Sequence, residues 1–235
     1  MGLKESGLRG SLRNVSVGID AIPDSAIAQY DATQESFNDG DSVSTFADQI
    51  GTVGDLTAGT APTYKTDIIN GNAVVRFDGV DDFLDVVKSS SVSQKVAFAF
   101  VVNYGNVGDN PIVFDHASSD EPRIFADVNR DGNDDTRFNA GSNLSSSDNV
   151  VSNGTTAVLV YIADGSNSEI RVDGSSVASG DAGTNAFQSL RVGSNQFDDA
   201  FADYDVGEIM VYDSPTSSEI SSEESRLGNK WGVAV

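Results

Sequence analysis

The chain has 235 residues, of which 38% are hydrophobic, and its 36 acidic and 14 basic side chains give a net charge of −22. This length and composition suit a folded chain of one large domain or two small ones. The absence of cysteine excludes a disulfide framework, a thiolate zinc site and a cysteine nucleophile, and a single histidine excludes a multi-histidine metal cage. Nucleic acid is a poor partner for so negative a chain, because phosphate contacts need clustered lysine and arginine.

No apolar run approaches the roughly 18 residues of a membrane span, and the N-terminus lacks the basic-then-apolar pattern of a signal peptide. We therefore expect neither membrane insertion nor a secretion signal. The acidity comes from 28 aspartates against 8 glutamates, with 9 arginines and 5 lysines. Such a charge repels itself at low ionic strength, whereas molar salt shortens the Debye length to about 3 Å. The composition indicates adaptation to high salt, and an acidic extracellular protein is the alternative.

Residues 1–22 differ from the rest of the chain in charge. They carry Lys4, Arg9 and Arg13, and their apolar residues follow no clear period. We interpret this segment as an extended arm, separate from a domain over residues 23–235. The arm is predicted to dock on a partner through its basic residues, the alternative being a frayed terminus.

From Pro23 onward, short β runs alternate with Asn-Gly and Asp-Gly pairs, which supply the positive φ of tight turns. The run Val96–Val102 is apolar throughout, as expected of a central strand covered on both faces. This pattern predicts an all-β antiparallel sandwich. The predicted strands are Ile27–Tyr30, Ala73–Phe77, Phe83–Val87, Val96–Tyr104, Ile112–Phe114, Ile124–Ala126, Ala157–Ile162, Glu169–Val172, Leu190–Val192 and Val206–Tyr212.

One loop has the spacing of a calcium site. Its oxygen ligands would be the side chains of Asp127, Asn129, Asp131 and Asp135 and the backbone carbonyl of Asn133, with a glycine at position 6 for the sharp turn. Phe138 replaces the bidentate glutamate at position 12, so the loop is more similar to calcium loops between β strands than to a helix-loop-helix site. We predict calcium as the cofactor, the alternative being a solvated acidic hairpin.

A second acidic cluster follows the pattern D-x-D-x-x-E, in Asp203, Asp205 and Glu208. It is similar to the strand motif of jelly-roll glucanases, in which two carboxyl groups flank the sugar ring. Strand alternation would turn Glu208 to the face opposite the two aspartates unless a bulge intervenes. We therefore expect no enzymatic activity and no catalytic residue.

A single helix is predicted near the C-terminus. Thr216 and Glu219 form a capping box, after which Ile220, Leu227 and Trp231 fall on one face. The helix would pack this stripe on the sandwich and stop at the glycines Gly228 and Gly232.

Five segments of the chain carry short motifs, in residues 70–84, 169–174, 190–194, 206–213 and 229–232. In order and spacing these segments resemble the concanavalin A-like jelly roll in its laminin-G/pentraxin-like branch. The resemblance implies two antiparallel sheets face to face, with rim loops free for ligands. The arm, with its stretch GSLRNVSVGI, is similar to the start of structural proteins from tailed viruses of salt-loving archaea.

These observations lead to one expectation about function and two alternatives. We expect a non-enzymatic structural protein of the virion surface of a halophilic virus, such as a capsid decoration, a turret or a tail-associated adhesin. Its partners would be other virion proteins, further copies of itself and host surface glycans. The alternatives are a separate carbohydrate-binding module and a glycoside hydrolase.

Overall fold

The computed structural model describes residues 21–106, 112–117, 122–128 and 135–235. The predicted docking residues Lys4, Arg9 and Arg13 lie outside these ranges, so the arm remains a prediction. The described residues form strands β1 (Ala26–Asp31), β2 (Thr45–Phe46), β3 (Leu56–Thr60), β4 (Thr63–Ile69), β5 (Asn72–Asp78), β6 (Phe83–Val92), β7 (Val96–Asn106), β8 (Ile112–Phe114), β9 (Phe125–Val128), β10 (Thr136–Asn139), β11 (Asn143–Ser145), β12 (Thr156–Ala163), β13 (Ser168–Val172), β14 (Ser175–Gly180), β15 (Phe187–Val192) and β16 (Asp203–Asp213). They also form helix α1 (Ser217–Trp231) and two short 3-10 helices, Ala32–Gln34 and Gly165–Asn167.

The strands build an antiparallel sandwich, as predicted. The larger layer is one eight-stranded sheet in the order β14-β13-β12-β7-β16-β5-β4, in which β1 also pairs with β16. The second layer consists of two four-stranded sheets, β15-β6-β3-β2 and β11-β10-β9-β8. The backbones of Asp115 and Arg191 exchange two hydrogen bonds, of 2.9 and 2.7 Å, which join the two smaller sheets.

Aromatic side chains fill the space between the layers. Phe98 on β7 lies 4.6 Å from Phe114 on β8, and 5.2 Å from Phe187 on β15, measured between ring centroids. Phe138 on β10 reaches Tyr161 on β12 at 5.5 Å. The large sheet therefore packs on both smaller sheets through one continuous core.

The central strand β7 is covered on both faces, as its apolar sequence indicates. Phe98 and Phe100 belong to the core between the layers, whereas Ala97 and Ala99 belong to a second cluster on the outer face of the large sheet. Helix α1 contributes Ile220, Leu227 and Trp231 to that second cluster. Small residues on this face leave room for the helix to lie close to the strand.

The ends of α1 differ in part from the prediction. The capping box is present: the Glu219 amide donates to Thr216 Oγ1 at 3.2 Å, and the Thr216 amide donates to Glu219 Oε2 at 2.8 Å. The helix continues through Gly228 and ends at Gly232, which has a φ of +73°. Gly228 is required for another reason, because a Cβ there would lie 2.7 Å from the Val233 carbonyl oxygen of the returning tail. No helix of the described residues is long and apolar enough to cross a membrane.

Candidate functional site

The acidic motif of β16 is reshaped by a bulge. The register shifts between Val206 and Glu208, against β7. Val206 and Ile209 both face the core between the layers, so Gly207 is the extra residue and Glu208 lies on the outer face with Asp205. Strict alternation would have turned Glu208 to the face opposite Asp203 and Asp205, but the bulge keeps Glu208 on the same face as the two aspartates. A Cβ at residue 207 would lie 2.7 Å from the Trp231 ring, which explains the glycine at this position.

Glu208 is fully buried beneath α1 and accepts four hydrogen bonds. Its donors are Gln29 Nε2 at 2.7 Å, Arg226 Nη2 at 2.5 Å, Lys230 Nζ at 2.8 Å and Trp231 Nε1 at 3.1 Å. Burial acts to raise the pKa of Glu208, but the positive charges of Arg226 and Lys230 outweigh it and hold that pKa below its usual value. Glu208 therefore works as an ionised anchor for the helix, away from solvent.

The other end of the motif opens into a groove on the same outer face, beyond the end of the helix. The groove has a volume of about 290 Å³ and is lined by Arg76, Asn103, Tyr104, Gly105, Gly154, Asp203, Tyr204 and Asp205. The two tyrosine rings point into the core and stack on each other at 5.3 Å between centroids. The polar groups of the groove therefore come from β5, β7 and β16, three adjacent strands.

Two aspartates of the groove have different environments. Asp205 is held by Arg76 through two hydrogen bonds, from Nε to Oδ1 at 2.7 Å and from Nη2 to Oδ2 at 2.9 Å. Asp203 is exposed, and its carboxylate lies over β7, where a Cβ on Gly105 would approach Asp203 Oδ1 to 2.7 Å. A Cβ on Gly79, in the turn that follows β5, would lie 3.0 Å from the Asp203 Cβ. Glycines on both sides thus give the Asp203 carboxylate its position.

A turn beside the groove adds three more carboxylates. Asp78 lies opposite Asp203 in the sheet, and oxygens of Asp78, Asp81 and Asp82 lie within 4.8 Å of one another. Burial raises the pKa of Asp82 to about 6, and the charges of Asp78 and Asp81 add to the rise, against one backbone hydrogen bond from Asp78 that lowers it. Arg76 is the basic residue lining the groove, so this rim of the sandwich is strongly negative.

The predicted calcium loop is described only at its two ends. Val128 of β9 pairs with Thr136 of β10, so the loop closes a β hairpin. Both oxygens of Asp127 accept hydrogen bonds from Arg137. Asp135 is 8% exposed, and its Oδ1 has no hydrogen-bond partner among the described residues. Asn129, Asp131 and Asn133 lie outside the described residues.

Sequence reasoning singled out the acidic motif but missed its partners in the groove. Arg76 is the only charged residue of the otherwise apolar run Ala73–Phe77. A charge that interrupts such a run is a signal that could have identified it. Asn103 and Gly105 carry no such signal, because their role depends on the pairing of β7 with β16.

No protein family and no curated protein matches the chain by sequence. Solved structures match its fold. Domain 4 of AbnA, a GH43 extracellular arabinanase from Geobacillus stearothermophilus solved with arabinotriose, has a TM-score of 0.61 at 16% identity, covering 83% of this chain and 96% of that one. The sialidase of Trypanosoma rangeli in complex with sialic acid has a TM-score of 0.61 at 11% identity, covering 89% of this chain and 34% of that one.

The receptor-binding domain of a botulinum neurotoxin mosaic serotype C/D is also similar, with a TM-score of 0.61 at 10% identity, covering 87% of this chain and 51% of that one. The chain shares an antiparallel β-sandwich fold with these proteins, which is consistent with a concanavalin A-like architecture. These matches are sandwich folds, in agreement with the resemblance drawn from the sequence. At sequence identities of 10–16%, these matches establish similarity of fold alone.

The raised pKa of Asp82 predicts a pH-dependent stability. An unfolded aspartate titrates near 3.8, so the protonated Asp82 stabilises the fold below that pH, and this contribution is lost as the pH rises through about 6. Asp82→Asn keeps an acceptor for the Asp78 amide and removes the buried charge. We expect the variant to melt a few degrees higher than the wild type at pH 7.5, since about 1 kcal/mol shifts Tm by roughly 2–4 °C for a chain of this size.

At pH 4 the gain should vanish. The control is Asp148→Asn, which removes the same charge from an exposed loop position. Thermal melts at both pH values measure the effect, and an equal gain for both variants at pH 7.5 would show that net charge alone is responsible.

Proposed function

We propose that the domain binds carbohydrate in the groove at the start of β16. The observation that carries this proposal is the exposed Asp203 carboxylate, positioned between two glycines and next to the Arg76–Asp205 pair. Sugar hydroxyls donate well to carboxylate oxygens, and such charged hydrogen bonds contribute about 1.5–3 kcal/mol each. Asn103 adds a side-chain amide to the lining of the same groove, and its Nδ2 donates to Thr156 Oγ1 at 3.2 Å.

Similar folds support this proposal. The arabinanase domain was solved with arabinotriose, and the chain covers 96% of that domain. The sialidase was solved with sialic acid, but the chain covers only 34% of it, so that ligand is not assigned to the part with the similar fold. A domain with this fold therefore accommodates a sugar ligand in another protein.

The geometry of the motif favours binding over hydrolysis. A glycosidase of this type needs two carboxyl groups beside the sugar ring, about 5–5.5 Å apart in retaining enzymes. Glu208, the third acid of the motif, is fully buried and held by four donors under α1. We infer that the chain binds a sugar without hydrolysing it.

Asp203→Asn tests the groove. We expect it to weaken glycan binding by about tenfold or more, since one charged hydrogen bond contributes about 1.5–3 kcal/mol. The control is Asp213→Asn at the opposite end of the same strand, which is also exposed and should bind like the wild type. Binding is measured on a printed array of neutral and sialylated oligosaccharides, followed by calorimetry with arabinotriose or the strongest array ligand. Equal affinity of the two variants would contradict the proposal for the groove.

We also propose that calcium binds the hairpin loop that begins at Asp127 and ends at Asp135. The buried Oδ1 of Asp135 has no hydrogen-bond partner among the described residues, and this supports the proposal, because a buried carboxylate oxygen without a donor is costly unless a cation pairs with it. Arg137 neutralises Asp127, so calcium would share that carboxylate or replace the guanidinium. The site would be weak, in the roughly 10⁻⁴–10⁻³ M range of extracellular modules, since the bidentate glutamate is missing.

Calcium should raise the melting temperature of the wild type at constant ionic strength. A ligand at a hundredfold excess over Kd stabilises by about 2.7 kcal/mol, provided that it binds only the folded state. Asp135→Asn should abolish the calcium-dependent shift, whereas Asp148→Asn should retain it. Melts with calcium and with a chelator make the comparison. If the wild type has the same Tm with calcium and with chelator, the loop is a solvated acidic hairpin and the calcium proposal is wrong.

A second candidate role is structural: we propose that the chain belongs to the virion surface of a halophilic virus and associates through its arm. The charge of the chain supports this. Residues 1–22 carry a net charge of +1, whereas the whole chain carries −22. A basic arm complements the acidic surface of another copy. Charges in direct contact lie within the Debye length of about 3 Å at molar salt, whereas the repulsion between the two bodies acts over longer distances and is screened.

The arm is tested by the triple variant Lys4→Gln, Arg9→Gln and Arg13→Gln. We expect the wild type to form oligomers in molar NaCl and the variant to remain a monomer, with an unchanged melting temperature. The matched control is Lys65→Gln, Lys88→Gln and Lys95→Gln, which removes the same charge from the body of the domain. Sedimentation velocity measures the assembly state. Oligomers of the arm variant, or wild-type monomers at every salt concentration, would contradict a docking role of the arm.

A further inference from the structure

An exposed aromatic ring stands out on the segment that joins β15 to β16. Phe197 is 60% exposed, and it is the only exposed aromatic residue in the part of the chain that the structure describes. The other exposed large apolar residues are aliphatic and lie in other segments. Single apolar residues on a surface are common and by themselves need no explanation. What distinguishes Phe197 is how its loop is held.

The side chain of Asn195 fixes the loop from inside. Asn195 is 9% exposed, and its Oδ1 accepts hydrogen bonds from the backbone amides of Phe197 at 3.1 Å and Asp199 at 3.2 Å. Its Nδ2 donates to Asp199 Oδ1 at 2.5 Å. A single buried amide thus sets the backbone on both sides of Asp198.

Two buried charged side chains, Arg191 and Asp115, also form hydrogen bonds with this loop. Arg191 is 8% exposed and donates to the Asn195 carbonyl at 3.2 Å, to Asp198 Oδ1 at 2.6 Å and to Asp85 Oδ2 at 3.0 Å. The Gln196 amide donates to Oδ2 of the fully buried Asp115 at 3.0 Å. The loop therefore has its conformation before any ligand binds, which lowers the entropic cost of binding.

The surroundings of Phe197 are charged rather than apolar. The Arg123 guanidinium lies 5.6 Å from the Phe197 ring centroid, and it is itself held by two hydrogen bonds to Asp115. Asp198 and Asp199 follow Phe197 in the loop and are exposed. A protein interface of usual size would need a larger apolar patch around such a ring. An exposed ring followed by two exposed carboxylates fits a sugar, whose C–H face packs on the ring while its hydroxyls donate to carboxylate oxygens.

We propose that Phe197 is a stacking platform for a neutral sugar ring, in a second subsite of the carbohydrate site. This inference rests on the proposed function. Phe197 and Asp203 lie six residues apart in one connection, with Phe197 beside residues of the smaller sheets and Asp203 on the outer face of the large sheet. One oligosaccharide would therefore span the rim between the two layers to reach both. Neutral sugars are favoured because Arg123 and Arg191 are already paired with carboxylates, while the exposed Asp199 and Asp203 repel an anionic sugar.

Three variants test the platform on the same glycan array and by calorimetry with arabinotriose or the strongest neutral array ligand. Phe197→Ala should weaken binding about tenfold, because the C–H face of the sugar loses the apolar surface on which it packs. Phe197→Trp should retain binding. Val87→Ala is the control, because Val87 is 58% exposed on another strand, and it should bind like the wild type.

The tryptophan variant gives a direct readout. Trp231, the only native tryptophan, is 1% exposed, so an indole at position 197 would dominate any change of emission on sugar addition. We expect a concentration-dependent emission change with the neutral sugar and none with a sialylated one. The same change in a Phe197→Trp, Asp203→Asn double variant, at higher sugar concentration, would separate stacking from the groove contact.

The outcomes distinguish the two proposals. If Phe197→Ala binds like the wild type while Asp203→Asn is weakened, the platform is wrong and the groove remains. If Phe197→Ala loses binding while Asp203→Asn keeps it, the platform is supported and the groove is wrong. A wild type that binds no glycan overturns both, and a preference for sialylated glycans overturns the neutral class.

Discussion

The buried carboxylate of Glu208 is the interaction on which the outer face of the large sheet depends. It binds donors from β1, in Gln29, and from α1, in Arg226 and Lys230, so that the first strand, the last strand and the helix meet at one charge. Removing one partner of a buried ion pair typically costs about 3–5 kcal/mol, because the other charge is left buried without compensation. The helix is therefore fixed in one position, and this position decides how much of the sheet it covers.

What the helix leaves uncovered is the groove. The bulge at Gly207 keeps Glu208 on the same face as Asp205, so the three acids of the motif lie along one face of β16. The helix buries one end of this row, with Trp231 against Gly207, and the other end stays open at Asp203. A single strand thus uses the same chemical group for two purposes: the Glu208 carboxylate fixes the helix on the sheet, and the Asp203 carboxylate remains available to a ligand.

The sequence predicts best what depends on neighbouring residues. The ten predicted strands all overlap observed ones, and the capping box at Thr216 is present, because apolar runs and caps act locally. Six strands were missed, among them β3 and β14, because their threonine, serine and glycine residues lie mostly at the surface and show little apolar alternation. The contacts of the candidate site were harder to predict than the strands. The Arg76–Asp205 pair is separated by 129 residues and the Gln29–Glu208 contact by 179, so only the sheet order brings these side chains together.

The distribution of charges explains how so acidic a chain can keep this architecture. All six arginines of the described residues, 76, 123, 137, 171, 191 and 226, form ion pairs with carboxylates, and most of these pairs are at least partly buried. The scarce positive charges therefore compensate many of the carboxylates that the fold buries, such as Glu208, Asp115 and Asp127. Most of the other carboxylates of the described residues are exposed or half-buried without a basic partner, and their mutual repulsion falls as salt rises. Such a surface disfavours anionic ligands and favours neutral, hydroxyl-rich ones, which is the chemistry that the exposed Asp203 and the braced Phe197 loop both present.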